Sequence, residues 1–90
     1  MPAHEIIIIN KLGLHARAAA KFVAIANRYP CTVNVGRSSE DLVDGKNIMA
    51  VMMLAASRGT PLHVHTLGEQ EEEALQALID LIEDYFQEGE

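Results

Sequence analysis

The 90-residue chain predicts an α+β fold, a four-stranded antiparallel sheet with three helices on one face. Three observations carry this reading. Short segments with one apolar face read as strands, longer segments with an apolar stripe at helical spacing read as helices, and they follow one another as β-α-β-β-α-β-α. Strands with a single apolar face pack on one side only, so the opposite face of the sheet is left to water.

Each element has its own signal. The β-branched run Glu5 to Asn10 reads as the first strand, its phase hidden by four consecutive isoleucines, Ile6 to Ile9. If Ile6 and Ile8 point inward, Ile7, Ile9, His63 and His65 lie on the open face. Gly13 breaks the strand. From Ala16 to Asn27, Ala19, Phe22, Val23 and Ala26 fall at i, i+3, i+4 and i+7, and Tyr29-Pro30 ends that helix. Thr32 to Gly36 alternates, Arg37 to Glu40 is a polar turn, and Asp41 to Asp44 returns as a short strand. Asp44-Gly45 is turn chemistry. Ile48 to Ala56 reads as a short helix, Leu62 to Leu67 as the last strand, and Gln70 to about Phe86 as the last helix. Its stripe is Leu75, Leu78, Ile79, Ile82 and Phe86, with acidic residues in the first turns where the helix dipole favours them.

Length and composition bound the possibilities. Residues 1–90 suffice for a single domain with one modest core, and 49% are hydrophobic. A net charge of −6 without any basic run argues against a nucleic-acid binder. The longest apolar stretch, Ile48 to Ala56, falls far short of the roughly 20 residues that span a membrane. Glu5 precedes the amino-terminal isoleucines where a secretory leader would carry lysine or arginine. A lone cysteine, Cys31, excludes a disulfide framework. The chain reads as cytoplasmic and monomeric, with no cofactor. His63 and His65 lack a third ligand nearby, so no metal is expected.

Chemistry concentrates between Asn10 and Lys21. His15 stands between a glycine turn and a helix start, beside N–H groups that have no intrahelical partner and form an anion site. The positive helix end disfavours an added proton, so the ring keeps the lone pair that a nucleophile needs. Arg17 can bring its guanidinium fork to phosphoryl oxygens, with the helix N-terminus at Ala16, Arg17 and Ala18 as the cradle. Taken alone, a histidine at a helix start is more often a cap or a solvated surface residue.

Gly13-Leu14-His15-Ala16-Arg17, followed by small residues and Lys21-Phe22-Val23, resembles the active-site signature of the HPr family of histidine phosphocarriers. Gly45-Lys46-Asn47-Ile48-Met49-Ala50-Val51-Met52-Met53-Leu54 is similar to the family's second-helix signature, and Gly59-Thr60 and Gly68-Glu69 match further on. The likeness spans essentially the whole chain and implies the family's open-faced β-sandwich. It implies that His15 accepts phosphate on Nδ1 from a phosphorylated enzyme I, charged by phosphoenolpyruvate, and passes it to an EIIA-type acceptor. Arg17 would hold the phosphoryl group. Docking would use Ala16, Arg17 and Ala20 with Ile48, Met49 and Met52, flexible methionines suiting a surface that meets two partners.

Two positions depart from the family. Ala18 replaces the usual proline, which relaxes the first helical turn. Asn47 stands where many relatives carry a regulatory, phosphorylatable serine; it caps a helix equally well but has no hydroxyl. The lead-in Asn10-Lys11-Leu12-Gly13, the methionine-rich helix and the glutamate run look most like the nitrogen-related branch (NPr). The sugar-transport branch, or a regulatory docking module of the same fold, is the alternative.

Overall fold

The computed structural model describes residues 2–89. Its elements are β1 (Ala3–Ile7), α1 (Ala16–Ala26), β2 (Thr32–Ser38), β3 (Asp41–Asp44), α2 (Ile48–Met52), β4 (Pro61–Leu67) and α3 (Glu71–Glu83). The four strands form one antiparallel sheet in the order β1-β4-β2-β3, and the helices cover one face of it. This is the expected architecture.

Pairing settles the phase of the isoleucine run. Ile6 lies opposite Leu62 and both are buried, whereas Ile7 lies opposite Pro61 and is exposed. The strand begins two residues before Glu5 and ends at Ile7 rather than running to Asn10. Beyond Ile7 the backbone bonds to a loop instead of the ladder: Ile8 donates to the Thr60 carbonyl and accepts from Gly59 N–H. Ile8 is still fully buried, while Ile9 is half-buried outside the sheet. Ile7, His63 and His65 share the open face, where Glu5 Oε2 lies 3.2 Å from His63 Nε2. Among the described residues, no three His, Cys, Asp or Glu side chains cluster to hold a metal ion.

The core fills the space between sheet and helices. Phe22 of α1, Val51 of α2, and Leu78 and Ile82 of α3 meet Val33, Val35, Leu62 and Val64, all essentially without solvent contact. Each such side chain contributes roughly 1.5–3 kcal/mol by leaving water. β2 continues past Gly36 through a bulge into Ser38. A Cβ at Gly36 would collide with the Asp41 carbonyl, so the close β2–β3 turn requires glycine there.

Two helices differ from expectation, both at their ends. α2 starts where Asn47 caps it, Oδ1 accepting from Ala50 N–H at 3.1 Å, but it stops at Met52. The chain leaves through Ala55 in the left-handed region (φ 51°), which turns the Ala56 carbonyl toward the loop before α1. α3 ends at Glu83 and does not reach Phe86. Tyr85, Phe86 and Gln87 follow with φ between 52° and 66°, forming a left-handed turn that drives Phe86 into the core. No helix is long and apolar enough to cross a membrane among the described residues.

Candidate functional site

The segment from Asn10 to His15 is held by its own backbone and by the exit of α2. Asn10 is fully buried and donates from Nδ2 to the Gly13 carbonyl at 2.8 Å, and Gly13 N–H returns to the Asn10 carbonyl at 3.2 Å. Gly13 adopts φ 67°, and a Cβ there would come within 2.6 Å of the Ala56 oxygen. Leu14 is buried, with its N–H on that same oxygen at 2.8 Å. The next residue, His15, is thus delivered to the first turn of α1 in a fixed position.

His15 is the N-cap of α1. Its carbonyl accepts from Ala19 N–H at 2.8 Å, but its side chain makes no capping bond. The N–H groups of Ala16, Arg17 and Ala18 therefore have no backbone partner among the described residues. They point out of the helix end, where the macrodipole favours an anion.

The imidazole is 25% exposed, and Nε2 lies 2.6 Å from Oε2 of Glu88, whose side chain is 12% exposed. The other Glu88 oxygen accepts from Asn10 Nδ2 at 3.2 Å. Nδ1 has no hydrogen-bond partner among the described residues. An open depression of about 290 Å³ beside the ring is lined by Leu12, Leu14, His15, Ala16, Met52 and the Ala55–Ser57 segment. A ring held by one nitrogen at a helix N-terminus, with the other nitrogen without a hydrogen-bond partner among the described residues, can act as a nucleophile toward an anionic electrophile.

Arg17 is exposed and makes no side-chain hydrogen bond or ion pair among the described residues. It borders a recess of about 150 Å³ with Lys11, Leu12 and Glu88, so it stands next to the His15 site without a hydrogen bond to the ring among the described residues. Ala18 is buried and its side chain packs into the core, whereas Ala16 and Ala20 face solvent. Ile48 and Met49 are exposed, and Met52 is half-buried against the core while also lining the depression. Met53, at 79% exposure, and Leu12, at 67%, enlarge this apolar surface.

Sequence reasoning missed Leu12, Met53 and Glu88 as members of the site. A leucine before a glycine turn gives no sign of exposure. Glu88 gives no sign at all, because its partner lies 73 positions away.

Comparison with known proteins agrees with this architecture. Residues 3–84 match the family described as "PTS HPr component phosphorylation site". The chain is 72% identical to the phosphocarrier protein HPr of Pseudomonas aeruginosa and 67% identical to that of Pseudomonas putida, with full coverage of both partners in each case. It superposes on a crystal structure of HPr from Thermoanaerobacter tengcongensis with a TM-score of 0.91 at 42% identity, covering 98% of each chain. An open-faced sheet backed by three helices, with a histidine at the start of the first, defines a phosphocarrier of the phosphotransferase system. The chain belongs to the HPr family.

Proposed function

We propose that the chain accepts a phosphoryl group on Nδ1 of His15 from a phosphorylated enzyme I and transfers it to an EIIA-type acceptor. The supporting observation is His15 at the N-terminus of α1, with Nδ1 unengaged and three helical N–H groups unfilled among the described residues. In the forward step the Nδ1 lone pair bonds to phosphorus as the donor's P–N bond breaks, its electrons leaving with the donor imidazole. Helical N–H groups and the Arg17 guanidinium take up charge on the phosphoryl oxygens. Delivery to the acceptor is the same exchange in reverse.

The protein acts as a cytoplasmic, monomeric carrier rather than a stand-alone enzyme, and it forms a single domain over residues 1–90. Ala16, Arg17, Ala20, Ile48, Met49 and Met52 make the docking surface. We assign it to the nitrogen-related branch on the Asn10-Lys11-Leu12-Gly13 lead-in and the methionine-rich second helix. The relatives carry the plain name HPr, and the sugar-transport branch is the second reading. Asn47 removes the hydroxyl that a serine kinase would modify at that position.

Incubation with enzyme I and labelled phosphoenolpyruvate tests the carrier step. Acid-labile, base-stable label is expected on the wild type and absent from His15→Ala. An unlabelled wild type, or a labelled variant, would refute the assignment. Offering the charged carrier to both kinds of EIIA acceptor decides the branch by relative transfer rate.

A further inference from the structure

The end of the described chain is built to reach the histidine. After α3, three consecutive non-glycine residues, Tyr85, Phe86 and Gln87, take positive φ. Left-handed backbone is strained for residues with a Cβ, so such a run persists only where its surroundings hold it. Here Phe86 is fully buried and its carbonyl accepts from Lys21 Nζ at 2.8 Å, fastening the turn to α1. Gln87 and Glu88 N–H groups close it onto the Asp84 and Tyr85 carbonyls. The turn reverses the chain and brings the Glu88 carboxylate to the Nε2 edge of the His15 ring.

The carboxylate is gripped on both oxygens, by His15 Nε2 at 2.6 Å and by Asn10 Nδ2 at 3.2 Å. The Asn10 amide has both its donors committed, one to Glu88 and one to Gly13, while its buried Oδ1 has no partner. Leaving that oxygen bare is unfavourable, so the orientation that serves Glu88 is maintained against a local penalty. An ionised carboxylate only accepts hydrogen bonds, as it does from Asn10, so the proton between Glu88 and the ring sits on Nε2.

We propose that Glu88 is a positioning residue for His15: its carboxylate holds the ring proton on Nε2 and so leaves the lone pair on Nδ1. The same contact balances the positive charge that the ring acquires when Nδ1 bonds to phosphorus with Nε2 still protonated. A part-buried carboxylate orienting a histidine through its other nitrogen follows the logic of acyl-transfer triads, applied to phosphoryl exchange. The tautomer assignment stands on geometry; its effect on rate rests on the carrier reading above.

The test is nitrogen-15 NMR of the His15 ring in the full chain, beside phosphorylation rates with enzyme I and phosphoenolpyruvate. In the wild type, Nε2 is expected to carry the proton, visible as a slowly exchanging resonance, with Nδ1 giving the signal of an unprotonated nitrogen. Glu88→Ala should lose the slow Nε2 proton, mix the tautomers, and slow phosphorylation roughly two- to tenfold, the range of one net hydrogen bond. Glu88→Gln keeps the shape and one acceptor oxygen and should fall between the two. Circular dichroism confirms that each variant is folded. Ring signals unchanged in Glu88→Ala, or a wild-type proton on Nδ1, would overturn the proposal. A wild type that takes no phosphate refutes the carrier reading instead, and the ring signals still judge the hydrogen bond.

Discussion

Leu14 N–H donates to the Ala56 carbonyl at 2.8 Å, tying the turn before the histidine to the chain leaving α2. The bond joins the first family signature to the loop just after the second, and a Cβ at Gly13 would press on the same oxygen. Gly13→Ala is therefore expected to destabilise the protein by about 2–4 kcal/mol, from left-handed strain plus a forced shift of a packed loop. A lower urea midpoint at unchanged m-value is the readout, together with slower phosphorylation of His15. An unchanged midpoint would show that the loop yields freely.

Arg17 is exposed and borders the site without a side-chain hydrogen bond among the described residues, so its removal should leave the fold intact and weaken only the charged state. Arg17→Ala is expected to slow phosphoryl gain about tenfold, the scale of one charge-assisted hydrogen bond. Lysine should restore part of the rate, because it keeps the charge but lacks the planar fork. Single-turnover phosphorylation measures both variants. Equal rates for wild type and Arg17→Ala would remove Arg17 from the mechanism.

At position 18 the family proline can be restored. Ala18 lies in the first turn of α1, where its N–H has no intrahelical partner to lose. Ala18→Pro is expected to stabilise by about 0.4–1 kcal/mol, raising Tm by roughly 2–8 °C, chiefly by restricting the unfolded chain. Because Ala18 is fully buried, a fall in Tm instead would mean that the pyrrolidine ring does not fit this core.

The methionines should separate by environment. Met49 is 62% exposed, so Met49→Asp should leave Tm nearly unchanged while raising the KM for carrier in the enzyme I reaction about tenfold. Met52 packs against the core as well as lining the depression, so Met52→Ala should lower Tm too. Steady-state kinetics beside thermal melts distinguish the two. A Met49→Asp variant with normal KM would place docking elsewhere.

Element order and the apolar faces were readable from the sequence because each rests on local periodicity. The phase of Ile6 to Ile9 was not: a run of isoleucines has no alternation, and only pairing with Leu62 and Pro61 decides which side each faces. The ends of α2 and α3 were missed because Ala55 and Tyr85 to Gln87 are left-handed positions without glycine, the usual sign of such a turn. Phe86 fits the helical stripe by spacing, yet it reaches the core through a different backbone path. At the site, His15 and Arg17 lie in one short segment and were legible together. Glu88 depends on a chain reversal that no local pattern encodes.

The strand order also sets a timetable for folding. β4 pairs with both β1 and β2, whereas among the described residues only β2 and β3 are paired strands that also follow one another in sequence. That hairpin can form early, but the rest of the sheet waits for Pro61–Leu67 to find two partners across long loops, which makes chain closure the slow step. Val64→Ala, in the middle of β4, should accordingly slow folding, whereas Val43→Ala in β3 should mainly hasten unfolding. Chevron plots from stopped-flow mixing would show the contrast, and equal effects on the two limbs would remove it. In kinetic terms, the strand at the centre of the sheet is the latch that converts a hairpin and loose helices into a folded carrier.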